Sequence, residues 1–121
     1  MTEKFEIDLN DASRADGIKF LNDQDRGRAD AQRLKVADVF SRAAAADKTV
    51  LVIVPNDLYG VATSYVNGLF SYAIDAVGVD KVLEHLAIDA PDHIVMSIVT
   101  SLRIWKEALS ADLRSKGVSA L

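Results

Sequence analysis

The chain has 121 residues, enough for one domain with a real core and too few for two. Half of the residues are hydrophobic and 26% are charged, which excludes a disordered chain. The net charge of -4, with basic residues spread along the chain, argues against nucleic acid as the main partner, and the absence of cysteine excludes disulfides and thiolate chemistry.

The first segment, "KFEIDL", alternates Phe5, Ile7 and Leu9 with Glu6 and Asp8, the two-residue period of a strand with one buried face; a strand is expected from about Lys4 to Leu9. Acidic and apolar residues alternate here, where a signal peptide would need a basic start and an unbroken apolar run, so a cytoplasmic protein is expected. No apolar run approaches the ~18 residues of a membrane span. The following twenty residues are rich in Asp, Asn, Arg and Gly and read as a long loop with one short strand around Gly17 to Leu21.

From Asp30 to Ala46 there is no Gly or Pro, and Val36, Val39, Phe40 and Ala43 recur at helical spacing, predicting one helix closed by Asp47 and Lys48. "TVLVIV", from Thr49 to Val54, is apolar at consecutive positions, as in a strand covered on both faces, and is expected at the centre of the sheet. Such a strand needs a layer on each face, or a helix layer and a partner surface.

Beyond Pro55, the positions Val66, Leu69, Phe70, Ala73, Ile74 and Val77 predict a helix from about Ser64 to Ala76 with a stop at Gly78. "KVLEHLAID" fits both a helical and a strand period, and is taken as a short strand. Asp89 or Asp92 then caps a last helix of about two dozen residues, with Pro91 near its first turn. Its stripe runs through Ile94, Val95, Ile98, Val99, Leu102, Trp105, Leu109 and Leu113, and its length exceeds the ~11–12 residues of an average helix.

Few residues carry chemistry. His85 and His93 lack metal-ligand spacing and read as ordinary imidazoles. Arg26 and Arg28, flanking Gly27 in "NDQDRGRAD", do not match a phosphate loop and read as part of a solvated loop of mixed charge. Asn56 and Asp57 follow the central strand, where ligands often bind in open α/β sheets, although an Asx turn accounts for them equally. Thr63 and Ser64 stand at a helix start: one hydroxyl serves as a cap, and the other is available to a kinase, with a phosphate tolerated by the helix dipole. No nucleophile–base pair, metal set or cofactor motif can be named, so the chain is expected not to be an enzyme.

A buried strand, a polar turn and then "TSYVNGLFSYAIDAVG" resemble STAS domains, the fold of anti-sigma factor antagonists. The pattern is most similar to the STAS-like family of small bacterial domains, through Ser64, Tyr65 and Gly78, with "FEIDL", "RADGIKF", "DRGRADAQRL" and "TVLVIV" following the family's order upstream. Where anti-sigma factor antagonists carry Asp-Ser-Ser-Gly, this chain reads Ala62, Thr63, Ser64, Tyr65, without the acidic residue or the Gly. The resemblance implies a single α/β domain over residues 1–121, a mixed β-sheet with about three helices packed on it. It implies a non-catalytic regulatory domain that binds a GHKL-type kinase or another regulator, with Ser64, and Thr63 beside it, as the switch position.

The contact surface expected on this reading comprises Asn56, Asp57, Tyr59, Thr63, Ser64 and Tyr65. Two alternatives remain open. One is a small-ligand module at the strand ends near Asn56, Asp57, Arg26 and Arg28, and the other is a homodimer through Trp105 and Leu109 on the last helix.

Overall fold

The alternation of Phe5, Ile7 and Leu9 becomes strand β1 (Glu6–Asp8), with those three side chains buried. The computed structural model describes residues 5–9, 20–55 and 58–115, and side chains as far as residue 111. Lys4, most of the expected strand around Gly17, Asn56, Asp57 and Leu113 therefore lie outside the described backbone or side chains. Next in the chain come β2 (Phe20–Leu21), α1 (Gln24–Arg33), α2 (Val36–Ala45), β3 (Val50–Ile53) and β4 (Gly60–Val61). Then follow α3 (Thr63–Val77), α4 (Val79–His85), β5 (Leu86–Asp89) and α5 (Asp92–Ser115).

The chain is an α/β protein, with β3 central in a three-stranded sheet ordered β1-β3-β5. Every described pairing is parallel, including the short β2–β4 pair, whereas a mixed sheet was expected. Register fixes the two faces. On one, Ile7, Val52 and Ile88 lie side by side, with Val50 and Leu86 in the row before. Val50 and Val52 are fully buried there, in one core with Phe40, Val66, Phe70, Ile94 and Ile98 from the helices.

The opposite face carries the rows Glu6–Leu51–Ala87 and Asp8–Ile53–Asp89. All six side chains are half-buried or exposed, and Leu51, Ile53 and Ala87 are not part of the hydrophobic core. The expectation that "TVLVIV" is covered on both faces is corrected: among the described residues the helix layer lies on one face only. Consecutive apolar residues report a strand's hydrophobicity, not the presence of a second layer.

Five helices stand among the described residues where about three were expected. The charged segment read as a loop forms α1, started by Asp23, whose side-chain oxygen accepts the Asp25 N–H at 2.9 Å. What holds this helix is not an apolar stripe but contact with α3. Gly27 of α1 faces Gly68 of α3, and a Cβ on Gly27 would stand 2.8 Å from the Leu69 nitrogen and overlap the Tyr65 carbonyl oxygen. A Cβ on Gly68 would stand 2.9 Å from the Arg28 nitrogen. The two backbones touch, which no residue with a side chain permits.

The single helix expected from Asp30 to Ala46 is broken at Leu34 and Lys35, with Lys35 left-handed at φ 55°. The break turns α2 so that Val36, Val39, Phe40 and Ala43 reach the core while α1 stays on α3. "KVLEHLAID" is likewise divided. Lys81 to His85 belong to α4, with Val82 buried, which corrects the strand expected there, and only Leu86 to Asp89 pair with β3 as β5. Gly78, at φ 90°, ends α3 as expected.

In α5 the Pro91 carbonyl accepts the first bonds, from Ile94 at 2.9 Å and Val95 at 3.1 Å, and Asp92 is the first helical residue. Lys106 meets Asp80 at 2.7 Å, joining α5 to α4 at the surface. No helix among the described residues is long and apolar enough to cross a membrane.

Candidate functional site

The start of α3 is an elbow between two contacts. Upstream, β4 pairs with β2 and the Ala62 N–H donates to the Leu21 carbonyl at 2.8 Å, so Ala62 is held extended at φ -76° and ψ 152° immediately before the helix. Ala62 is the cap position and no side chain accepts an N–H there. Neither Thr63 nor Ser64 is a cap: they are the first two helical residues, and their hydroxyls bond to other elements.

Thr63 Oγ1 lies 3.1 Å from the hydroxyl of Ser101, a buried residue of α5 that also donates to the Ser97 carbonyl at 2.8 Å. Ser64 Oγ accepts the Asp23 N–H at 3.2 Å, tying the start of α3 to the start of α1. Asp23 holds φ 83°, so this bond fixes the entry to α1 at a residue whose backbone conformation L side chains rarely adopt. Both Thr63 and Ser64 remain exposed.

Tyr65 follows them in sequence but turns inward. It is fully buried and donates to Asp30 Oδ2 at 2.7 Å, between α3 and α1. Burial first, then the hydrogen bond and the charge of Asp30, hold its phenol well above the ordinary range, with Arg26 opposing. Tyr65 therefore belongs to the seam between the helices, whereas Tyr59 faces solvent at 76% exposure. The Tyr59 carbonyl accepts from His93 Nε2 at 3.1 Å. His85, by contrast, is buried with Nδ1 2.8 Å from the Lys48 carbonyl; since a carbonyl only accepts, Nδ1 carries the proton.

Two open grooves meet at the Thr63–Ser101 pair. One, of about 320 Å³, runs past Gln24, Asn67, Ile104 and Trp105; the other, of about 400 Å³, runs past Val61, Met96 and Thr100. No charged side chain among the described residues lines either. Met96, 65% exposed, and Ile104, 56% exposed, add apolar surface along α5. Trp105 is half-buried against the core, and Leu109 is exposed one turn further on.

Arg26 and Arg28 sit two apart on α1, a spacing at which side chains do not face one another, and Arg28 lies 3.8 Å from Asp25. Among the described residues no group of three or more acidic or histidine side chains could hold a metal ion. Ser101 and Asp23, which bond to the two hydroxyls, were not singled out from sequence. A serine inside the apolar stripe of Ile94, Ile98 and Leu102 is the signal that marks Ser101; Asp23 has none beyond its capping position.

Comparison with protein-family models, with curated proteins and with solved structures returns no match for this chain.

Proposed function

We propose that the chain is a STAS-like regulatory domain that works by binding another protein through the start of α3 and the neighbouring face of α5. The observation that carries this reading is the exposure of Thr63, which lines both grooves of apolar and neutral side chains, and of Ser64 next to it in the chain. Such a surface suits the side chains of a protein better than a charged metabolite, whose recognition needs convergent ionic groups. The role is binding rather than catalysis.

Ser64 is the switch position on this reading, and a GHKL-type kinase or another regulator is the partner. A phosphate on Ser64 adds about 1.5–2 negative charges at the contact and converts the hydroxyl that now accepts from the Asp23 N–H into a phosphate ester. The test is a pull-down with wild type, Ser64→Ala and Ser64→Asp, with mass spectrometry of residues 63 and 64. A partner held by wild type and Ser64→Ala but released by Ser64→Asp, or the reverse, supports the switch. Equal capture by all three ends it.

A second reading is a homodimer through α5, favoured by the exposure of Leu109 and Ile104 on that helix. Sedimentation separates the two: a monomer at working concentration removes the dimer.

A further inference from the structure

The face of the sheet that no described element covers is a surface of a different kind from the α3–α5 grooves. Strands of a parallel sheet are ordinarily covered on both faces. Here Leu51, Ile53 and Ala87 form an apolar centre that lies outside the core and is half-buried. Glu6 and Asp8 flank that centre on β1 and Asp89 flanks it on β5, and none of the six positions is basic. Asp8 is engaged in contacts of its own, so the charge of this face rests on Glu6 and Asp89.

We propose that this face docks a basic amphipathic helix of a protein partner, with its apolar side over Leu51, Ile53 and Ala87 and its Lys or Arg residues toward Glu6 and Asp89. Width supports a helix as the occupant: the two outer strands of a three-stranded sheet stand about 10 Å apart, close to the diameter of one helix with its side chains. A helix also supplies the layer that an α/β sandwich has on its second face. A second copy of this chain is disfavoured, because a two-fold contact between two such faces brings an acidic surface without a basic residue at its six strand positions against an identical one.

The test uses the full chain and a fluorescein-labelled Leu/Lys amphipathic peptide of about 14 residues, near the shortest length that holds a helix. Binding is read by anisotropy at low salt and mapped by amide chemical shifts. The expected result is saturable binding with shifts centred on residues 51, 53 and 87, and no binding of a Leu/Glu peptide of the same pattern. Glu6→Lys/Asp89→Lys weakens the binding about tenfold.

Asp75→Lys/Glu107→Lys is the charge-matched control: both residues are exposed on helices away from this face, and this variant stays within about twofold of wild type. Circular dichroism of both variants shows that the fold is kept. Equal weakening in the two variants reduces the binding to net charge and overturns the proposal. Shifts centred on residues 63, 96 and 104 overturn it too, and so does a dimer formed through residues 51 and 53.

Discussion

The seam between α1 and α3 and the uncovered face of the sheet are opposite extremes of packing in one small molecule. At the seam two glycines let backbones touch and a buried Tyr65–Asp30 bond of 2.7 Å locks the crossing. On the uncovered face, alternate residues of the same central strand meet no layer among the described residues. Close packing leaves the seam no room to adapt, whereas the face keeps apolar surface that no described element buries. The first region is where stability resides, and the second is where binding can be added without disturbing it.

That contrast breaks hardest at the glycines. Gly68→Ala puts a methyl group against the α1 backbone, where both neighbours are main chain and cannot swing aside. We expect a loss of about 3 kcal/mol or more in urea denaturation, at the upper end for over-packing. Gly27→Ala behaves in the same way.

Val52→Ala and Leu51→Ala divide the central strand between its faces. Val52 is fully buried and its truncation costs about 2 kcal/mol; Leu51, one residue away but half-buried, costs under about 1 kcal/mol. Similar losses for the two variants would show that the second face is covered after all.

Tyr65→Phe removes the buried donor to Asp30 and costs about 1–3 kcal/mol near neutral pH. The variant also changes the alkaline limb. The folded phenol holds its proton above the ordinary value of about 10, so its contribution is fully present below pH ~10 and is lost as the pH rises beyond it, by up to about 1.4 kcal/mol per unit. Wild type should lose stability above that point and Tyr65→Phe should lack this component, as read by denaturation at pH 8 to 11.

Ser64→Ala is the smallest change. Its bond to the Asp23 N–H is exposed and 3.2 Å long, so a loss of about 0.5 kcal/mol is expected. A melting temperature within a degree or two of wild type would leave Ser64 free to act in partner binding alone.

Much of the fold was legible because its signals are local. The strand at Glu6–Asp8, the central β3, α3 with its glycine stop and the long α5 all follow from period, composition and helix-end chemistry within a few residues. The candidate site was legible only in part. Thr63, Ser64 and Tyr59 were named and are exposed, while Tyr65, adjacent to Ser64, proved to belong to the seam. A residue's side of a helix depends on what the helix packs against, and nothing within the segment reveals α1 as that neighbour.

By itself, then, the sequence determined an α/β chain with β3 as its most apolar strand and a hydroxyl pair at the start of α3. Tertiary structure alone decided that a charged, glycine-bearing segment becomes α1, since its stabilising contact is with Gly68, some forty residues away. It also decided that Ser64 bonds to Asp23 across 41 residues rather than capping its own helix. It decided, finally, that the described helices gather on one face of β3. Periodicity records which residues avoid water, whereas the identity of the surface that shields them is set by contacts far apart in the chain.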